Sequence, residues 1–316
     1  MDLRPATLED ARAVADLETA RTPDDPVAAP MVAYWWTHPS DGEKSMRLVA
    51  ARDGVTHVFV EAGHDAWKEG ERRFGWLGVS VRAADWTEEL YRAGIERAES
   101  WQRSEGGEVA VASVREDFPG EQAALAGLGY REERRERYWE LDLAARRDDL
   151  LAMAEKSRGD AVRQGVELLT LDRDTDPTIL RKVYELDVTA TADIPTTMPI
   201  RMSGFETWSR NYFENPGIRK ERFWIARIGD EVVGMSLIVY PPERGVPTTE
   251  FTGTSPRFRG RGIARALKYA TVAQAIQLGA TSIRTDNDSA NAPILHLNAE
   301  MGYRPITPYI ELHREL

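Results

Sequence analysis

The stretch "SPRFRGRGIARALKYA", residues 255–270, is the most informative part of this sequence. Gly260 and Gly262 stand two apart among arginines, after an extended segment at 248–255 and before a run of helix-forming residues. Glycines let the backbone turn sharply and approach a ligand closely. The first turn of a helix offers unpaired amides and the positive end of its dipole. The stretch therefore predicts a cradle for two adjacent phosphates, although on its own it also fits a solvated loop.

Two other nucleotide-binding motifs do not fit this stretch. A Walker loop needs Gly-Lys followed by Ser or Thr, and that triplet is absent here. A Rossmann fingerprint needs a third glycine three residues after the second, but the next glycine after Gly262 is Gly279. We therefore expect neither a P-loop nor a Rossmann dinucleotide site.

Composition narrows the partners and the compartment. The chain has 52 acidic and 41 basic residues and a net charge of −11, which disfavours nucleic acid as a partner. It has no cysteine, so disulfides and thiolate metal sites are excluded, and we expect no metal. Neither a signal peptide nor an apolar run of about 18 residues is visible, so we expect no membrane contact and a cytoplasmic location.

The ends of the two halves resemble each other. Residues 125–143 and 297–316 each contain a helix end, then Gly-Tyr-Arg, then a strand. A repeat of this length predicts two copies of one α/β fold. We place the first domain at 1–143, a charged linker at 144–165 and the second domain at 166–316. In the second copy the patterns predict a strand, two helices, three antiparallel strands, a helix, a strand, a helix and a strand.

Two blocks of the second half resemble the GNAT acyltransferase superfamily. They are "RFRGRGIA" at 257–264 and "NAPILHLNAEMGY" at 291–303. The resemblance implies two tandem GNAT folds of the α/β (α+β) class, each a mixed, mainly antiparallel sheet flanked by helices. The layout and length are similar to those of mycothiol synthase, which remains one alternative for the activity.

The resemblance also implies acetyl-CoA as cosubstrate and names the residues that bind it. The backbone groups of Thr252 and Thr254 are expected to face the pantetheine arm, and Asn291 to contact the cofactor. The expected diphosphate cradle consists of Arg259, Gly260, Arg261, Gly262, Ile263 and Ala264.

The family's chemistry is direct transfer of an acetyl group to an amine. We therefore expect a small-molecule amine as acceptor. The acidic net charge of the protein favours a cationic amine. Glu250 is the first candidate for the base, since a carboxylate in a half-buried cleft has a raised pKa. His296 is the second candidate. Asn298 stands where the family usually has a proton-donating tyrosine, and an amide cannot supply that proton. A non-catalytic CoA-binding or scaffolding protein therefore stays an alternative.

The first half lacks the features of a cofactor site. Its corresponding stretch, 75–93, contains no Gly-x-Gly at the helix start, and Asp85, Glu88 and Glu89 stand where phosphates need positive charge. Phe118 occupies the place of Asn291. We predict that this half does not bind acetyl-CoA and acts as a scaffold or completes the acceptor pocket. Whether the aromatic and acidic segment 189–217 contacts a cation or simply packs is open.

Overall fold

The computed structural model describes residues 2–288 and 292–316, and the chain divides into two compact units. The first unit contains Met1–Glu136, Thr197–Arg201 and Thr307–Leu316. The second unit contains Arg137–Thr196 and Met202–Ile306.

Within the described residues, the first unit contains four α-helices and a mixed sheet. Its helices are α1 (Ala11–Arg21), α2 (Ala29–Thr37), α3 (Glu88–Glu105) and α4 (Pro119–Gly127). Its strands are β1 (Arg4–Pro5), β2 (Lys44–Arg52), β3 (Val55–His64), β4 (Phe74–Val81), β5 (Val109–Arg115), the first part of β6 (Arg131–Asp142) and β13 (Tyr309–Glu315).

The strands of the first unit follow the order β1-β2-β3-β4-β5-β13-β6. Neighbours are antiparallel except β4 and β5, which run parallel and pair only from Phe74 and Val109 to Leu77 and Ala112. Helix α3 covers one face of this sheet. It begins where the Thr87 side chain accepts the amide of Leu90, and it ends at a left-handed Gly106. Its fully buried Ile95 and Ala98 pack on the strands, which explains the apolar spacing of the helix.

The second unit repeats the same order of elements after an additional helix. Its helices are α5 (Arg147–Arg163), α6 (Ile179–Thr191), α7 (Phe205–Phe213), α8 (Ile263–Gln277) and α9 (Ala292–Met301). Its strands are the end of β6, β7 (Glu167–Thr170), β8 (Phe223–Ile228), β9 (Glu231–Val239), β10 (Thr248–Thr254), β11 (Ser282–Asp288) and β12 (Arg304–Pro305).

The strands of the second unit follow the order β6-β11-β10-β9-β8-β7, and β12 pairs with β6. Strands β7 to β10 are antiparallel neighbours, whereas β10 and β11 run parallel. Helix α8 lies against this sheet with buried residues on several faces, because α5 covers it from another side. Leu150 of α5 shares a core with Val272, and Ala161 of α5 shares one with Leu267. The predicted mixed, mainly antiparallel sheet with flanking helices is confirmed in both units.

The division of the structure differs from the expected boundaries in two places. The final strand β13 pairs with β5 and β6, so Thr307–Leu316 belongs to the first unit although 166–316 was expected to form the second domain. The expected linker, 144–165, contains helix α5, which belongs to the second unit. A strand pattern predicts a strand but not its partner, and the amphipathic face of α5 is covered only in the folded chain.

Among residues 2–288 and 292–316, the structure contains no helix that is long and apolar enough to cross a membrane.

Candidate functional site

The start of α8 has the backbone geometry expected of an anion cradle. Gly260 and Gly262 have φ angles of 75° and 76°, in the left-handed region that favours glycine. A Cβ atom added to either glycine would meet no atom within 4 Å, so the loop borders open space. Gly262 caps the helix without a side chain. The amides of Ile263 and Ala264 are therefore first-turn amides that no side-chain cap occupies.

The arginines of this stretch all point to partners on the surface of the second unit. Arg257 pairs with Glu231, Arg259 with Asp193, and Arg265 with Glu300. The Arg261 guanidinium donates to the backbone oxygen of Gln164 at 3.1 Å. Ion pairs between exposed side chains contribute little to stability, so an arriving anion can recruit these guanidiniums at small cost.

Strands β10 and β11 separate soon after they begin. Within the described residues their parallel ladder consists of Thr248 opposite Arg284, whereas β10 continues to pair with β9 as far as Thr254. The edge of β10 that faces β11 therefore has no ladder over 250–254. The Thr252 hydroxyl bonds to Ser236 at 2.8 Å, and the buried Thr254 hydroxyl has no partner in the described structure. Thr252 and Thr254 thus lie beside a gap between two parallel strands.

Glu250 lies on this part of β10. Part of the Glu250 side chain is accessible to solvent, whereas protein atoms surround the rest of it. Burial, and to a smaller extent the negative charge of Asp286 on β11, together raise the pKa of Glu250 to about 7. A carboxylate that titrates near neutral pH and remains open to solvent has the properties required of a general base.

A buried polar chain lies behind the same strands. Lys268 Nζ donates to Asn298 Oδ1 at 2.6 Å, and Asn298 Nδ2 donates to Asn287 Oδ1 at 2.6 Å. Lys268 and Asn298 are 1% and 0% exposed. Burial lowers the pKa of Lys268 to about 7, although the charge of Asp286 opposes this change. Asn298 is therefore held by a lysine that titrates near neutral pH.

The aromatic ring of Tyr303 packs against Lys268, the first member of this series of hydrogen-bonded side chains. Lys268 Nζ lies 5.0 Å from the ring centroid. The Tyr303 hydroxyl is buried near the Thr249 side chain, and burial raises its pKa well above its ordinary value although Thr249 opposes this increase. Tyr303 therefore keeps its proton near neutral pH.

Two other predicted site residues have a different status. His296 is exposed on α9, and no hydrogen bond or ion pair joins it to Glu250 or Asn298 in the described part of the chain. Asn291 lies outside the described residues. Its predicted contact with the cofactor stays a prediction.

The aromatic residues of segment 189–217 pack inside the second unit. Trp208 is buried and donates to Asp187 at 2.7 Å, and the Tyr212 hydroxyl donates to the same carboxylate at 3.0 Å. Both rings contact Phe213, and the ring of Tyr212 also contacts Phe223. Packing, the second of the two readings left open by the sequence, therefore accounts for these rings.

The corresponding helix start in the first unit has no cradle. Helix α3 is capped by the Thr87 side chain, and its first turn contains Glu88 and Glu89. Asp85, in the short 3-10 helix before it, bonds to His57 at 2.7 Å. The side-chain cap and the two carboxylates make this helix start unfavourable for an anion, and the absence of cofactor binding by this half stays a prediction.

The sequence comparison with known families gives one match, which lies mainly in the second unit. Residues 182–303 match the acetyltransferase (GNAT) family. No curated protein matches the sequence.

Three solved structures share the fold over nearly the whole chain. A tandem GNAT protein from the clavulanic acid biosynthesis pathway, solved without AcCoA, has 16% identity and a TM-score of 0.78 and covers 99% of this chain and 98% of its own. A GCN5-related N-acetyltransferase from Sphaerobacter thermophilus has 19% identity, a TM-score of 0.67 and coverage of 99% and 95%. FemX has 13% identity, a TM-score of 0.59 and coverage of 100% and 98%. The predicted tandem GNAT fold is confirmed.

Proposed function

We propose that the second unit, which contains most of the residues 182–303 that match the acetyltransferase (GNAT) family, is an acetyl-CoA-dependent N-acetyltransferase that acts on the amine of a small molecule. The observation that supports this proposal most is the open, left-handed glycine pair at the start of α8, next to the point where β10 leaves β11.

Acetyl-CoA fits the residues at this place. The loop at Gly260 and Gly262 borders open space at the positive end of a helix, where a diphosphate is stabilised. Arg259 and Arg261 flank the cradle and supply positive charge to an otherwise acidic protein. The unpaired edge of β10 at Thr252–Thr254 supplies backbone groups for an extended amide-containing arm. When bound, acetyl-CoA supplies the activated acetyl thioester.

Glu250 is the proposed base. An acceptor amine is protonated at neutral pH and must lose a proton before its nitrogen can attack. Glu250 in its ionised form takes one proton from the ammonium group, and the nitrogen then bonds to the carbonyl carbon as the C–S bond of the thioester breaks. The second proton leaves the nitrogen for the CoA thiolate, and no covalent enzyme intermediate is needed. The carboxylates of Glu250 and Asp286 also favour a cationic acceptor in the gap.

Asn298 does not provide the proton donor that the proposed reaction would use. Its carboxamide is fully buried and does not ionise near neutral pH, so it cannot supply a proton to the departing thiolate. This residue is the reason to keep a second candidate function, a CoA-binding protein without transferase activity.

A turnover assay separates the two candidates. We expect CoA release from acetyl-CoA to rise above the hydrolysis rate with at least one member of a panel of small primary amines, with the N-acetylated amine found by mass spectrometry in equal amount. Acetyl-CoA that binds in calorimetry but is not consumed with any amine would favour the binding function. Failure to bind would contradict both functions.

A further inference from the structure

The first unit contains a cavity of about 260 Å³ between its two parallel strands. Strands β4 and β5 stop pairing after Leu77 and Ala112. Beyond that point Gly78 and Ser80 of β4 and Ser113 of β5 line the cavity. The cavity is thus the counterpart, in the first unit, of the gap beside β10, but α3 offers it no anion cradle.

The charges on the cavity wall are unequal. The carboxylates of Glu18, Asp25, Glu61 and Glu121 face it together with two guanidiniums, those of Arg21 and Arg115. The excess of carboxylates indicates that any charge missing from the cavity is positive.

Both guanidiniums are already neutralised by carboxylates of their own. Arg21 donates to Glu121 at 2.6 Å and to Glu18 at 3.1 Å. Arg115 donates to Asp24 at 3.0 Å and to Asp117 at 2.8 Å. Neither is therefore available as the counter-ion of a further carboxylate.

Glu61 is the carboxylate without a partner. It lies in the middle of β3, opposite Gly78 of β4, and no hydrogen bond or ion pair holds it within the described residues. A Cβ atom on Gly78 would lie 3.5 Å from Glu61 Oε1, so the side chain extends over the glycine along the cavity wall. Glu61 is half-buried, and a carboxylate that is partly removed from water without a partner costs free energy that a bound cation would offset.

The groups that face Glu61 come from several elements. Burial, with smaller effects from the charges of Glu18 on α1 and Glu43 before β2, raises the pKa of Glu61 to about 7, and the charge of Arg47 on β2 opposes this increase. Across the cavity lie the Arg21–Glu121 pair, the Arg115 cluster, Asp25, and the hydroxyls of Tyr91 and Tyr309.

Aromatic rings complete the wall. Phe59, Tyr91, Phe118 and Tyr309 line the cavity. Phe118 is occupied, since Arg21 and Arg115 lie 5.0 and 5.8 Å from its ring centroid. Aromatic faces next to a carboxylate are the usual environment of a bound ammonium group.

We propose that this cavity binds a small organic monocation, an ammonium compound of a few heavy atoms, with Glu61 as its counter-ion. This site belongs to the first unit and does not depend on the function proposed for the second. Its cation supplies the charge that Glu61 lacks, and the volume of the cavity admits a ligand the size of choline but not a nucleotide.

Calorimetric titration with choline and with 3,3-dimethylbutan-1-ol, its uncharged isostere, tests the proposal. We expect saturable binding of choline and none of the alcohol. Glu61→Gln should weaken choline binding about tenfold or more, whereas Glu133→Gln, the same change at an exposed position of β6, should leave it unchanged. Binding to the parent protein should strengthen between pH 6 and pH 8 as Glu61 ionises, and this dependence should vanish in Glu61→Gln.

A second variant guards against an indirect effect. Gly78→Leu places a side chain in the cavity from a position without positive φ, and it should abolish choline binding while the circular dichroism spectrum stays unchanged. Equal binding of choline and the alcohol, full affinity in Glu61→Gln, or no saturable binding of choline would each overturn the proposal.

Discussion

Lys268 and Asn298 form a direct hydrogen bond of 2.6 Å inside the second unit, although neither side chain reaches solvent. No carboxylate lies within ion-pairing distance of Lys268 in the described residues. Burying an amine without a counter-ion favours its neutral form, and this is why the pKa of Lys268 falls to about 7. Because Lys268 titrates near neutral pH, the unfolding free energy of the protein depends on pH. The hydrogen bond also fixes the orientation of the Asn298 amide.

Lys268→Met should change the pH dependence of stability. Between pH 7 and about 10.5 the unfolded chain binds a proton at Lys268 that the native protein does not bind, so the unfolding free energy of the parent rises with pH there, by about 1 kcal/mol per pH unit. The variant should lose this slope. Urea unfolding at several pH values measures it, with the exposed Lys156→Met as control. A parent-to-variant difference that is constant with pH would contradict the lowered pKa.

Asn298→Ala should leave Lys268 without a hydrogen-bond acceptor. We expect a loss of about 1–3 kcal/mol of unfolding free energy, since a buried donor would lose its partner. Combined with Lys268→Met, the two effects should fail to add by more than about 0.5 kcal/mol, because both remove the same bond. Combination with Lys156→Met should be additive. Additivity in both cycles would show that the bond contributes nothing.

Glu250→Gln should lower acetyl transfer by a factor of about 10²–10⁴ at high pH. A base acts in its ionised form, so the parent's kcat/KM should rise as the pH passes through about 7, the pKa of Glu250. The variant should show no such rise. Its deficit should therefore grow with pH and be smallest in acid. The exposed Glu167→Gln on β7 is the control, and pH–rate profiles of variant and parent with the same shape would remove Glu250 as the base.

The sequence predicted the fold well because local signals agreed with one another. The glycines before α8, the alternating strands and the order of elements all describe properties of neighbouring residues. The pairing of β13 with β5 could not be predicted this way, since the choice of partner depends on contacts between residues about 200 positions apart.

The site was predicted only in part for a similar reason. Glu250 stood out because it precedes the cradle on a strand. Lys268 was missed, although it lies between the apolar Leu267 and Tyr269 on a helix with more than one buried face, which was a usable signal. His296 was proposed from its chemistry alone, and its exposure on α9 depends on how that helix packs.

Calorimetric titration of acetyl-CoA into Gly260→Asp and Gly279→Asp tests the central claim most directly. Both glycines have a positive φ and open space around them, but Gly260 lies at the amino end of α8 and Gly279 just after its carboxyl end. The strain and the added charge are thus matched. We predict that Gly260→Asp abolishes binding and that Gly279→Asp retains the parent's affinity. Unchanged affinity in Gly260→Asp would show that the start of α8 does not hold the diphosphate.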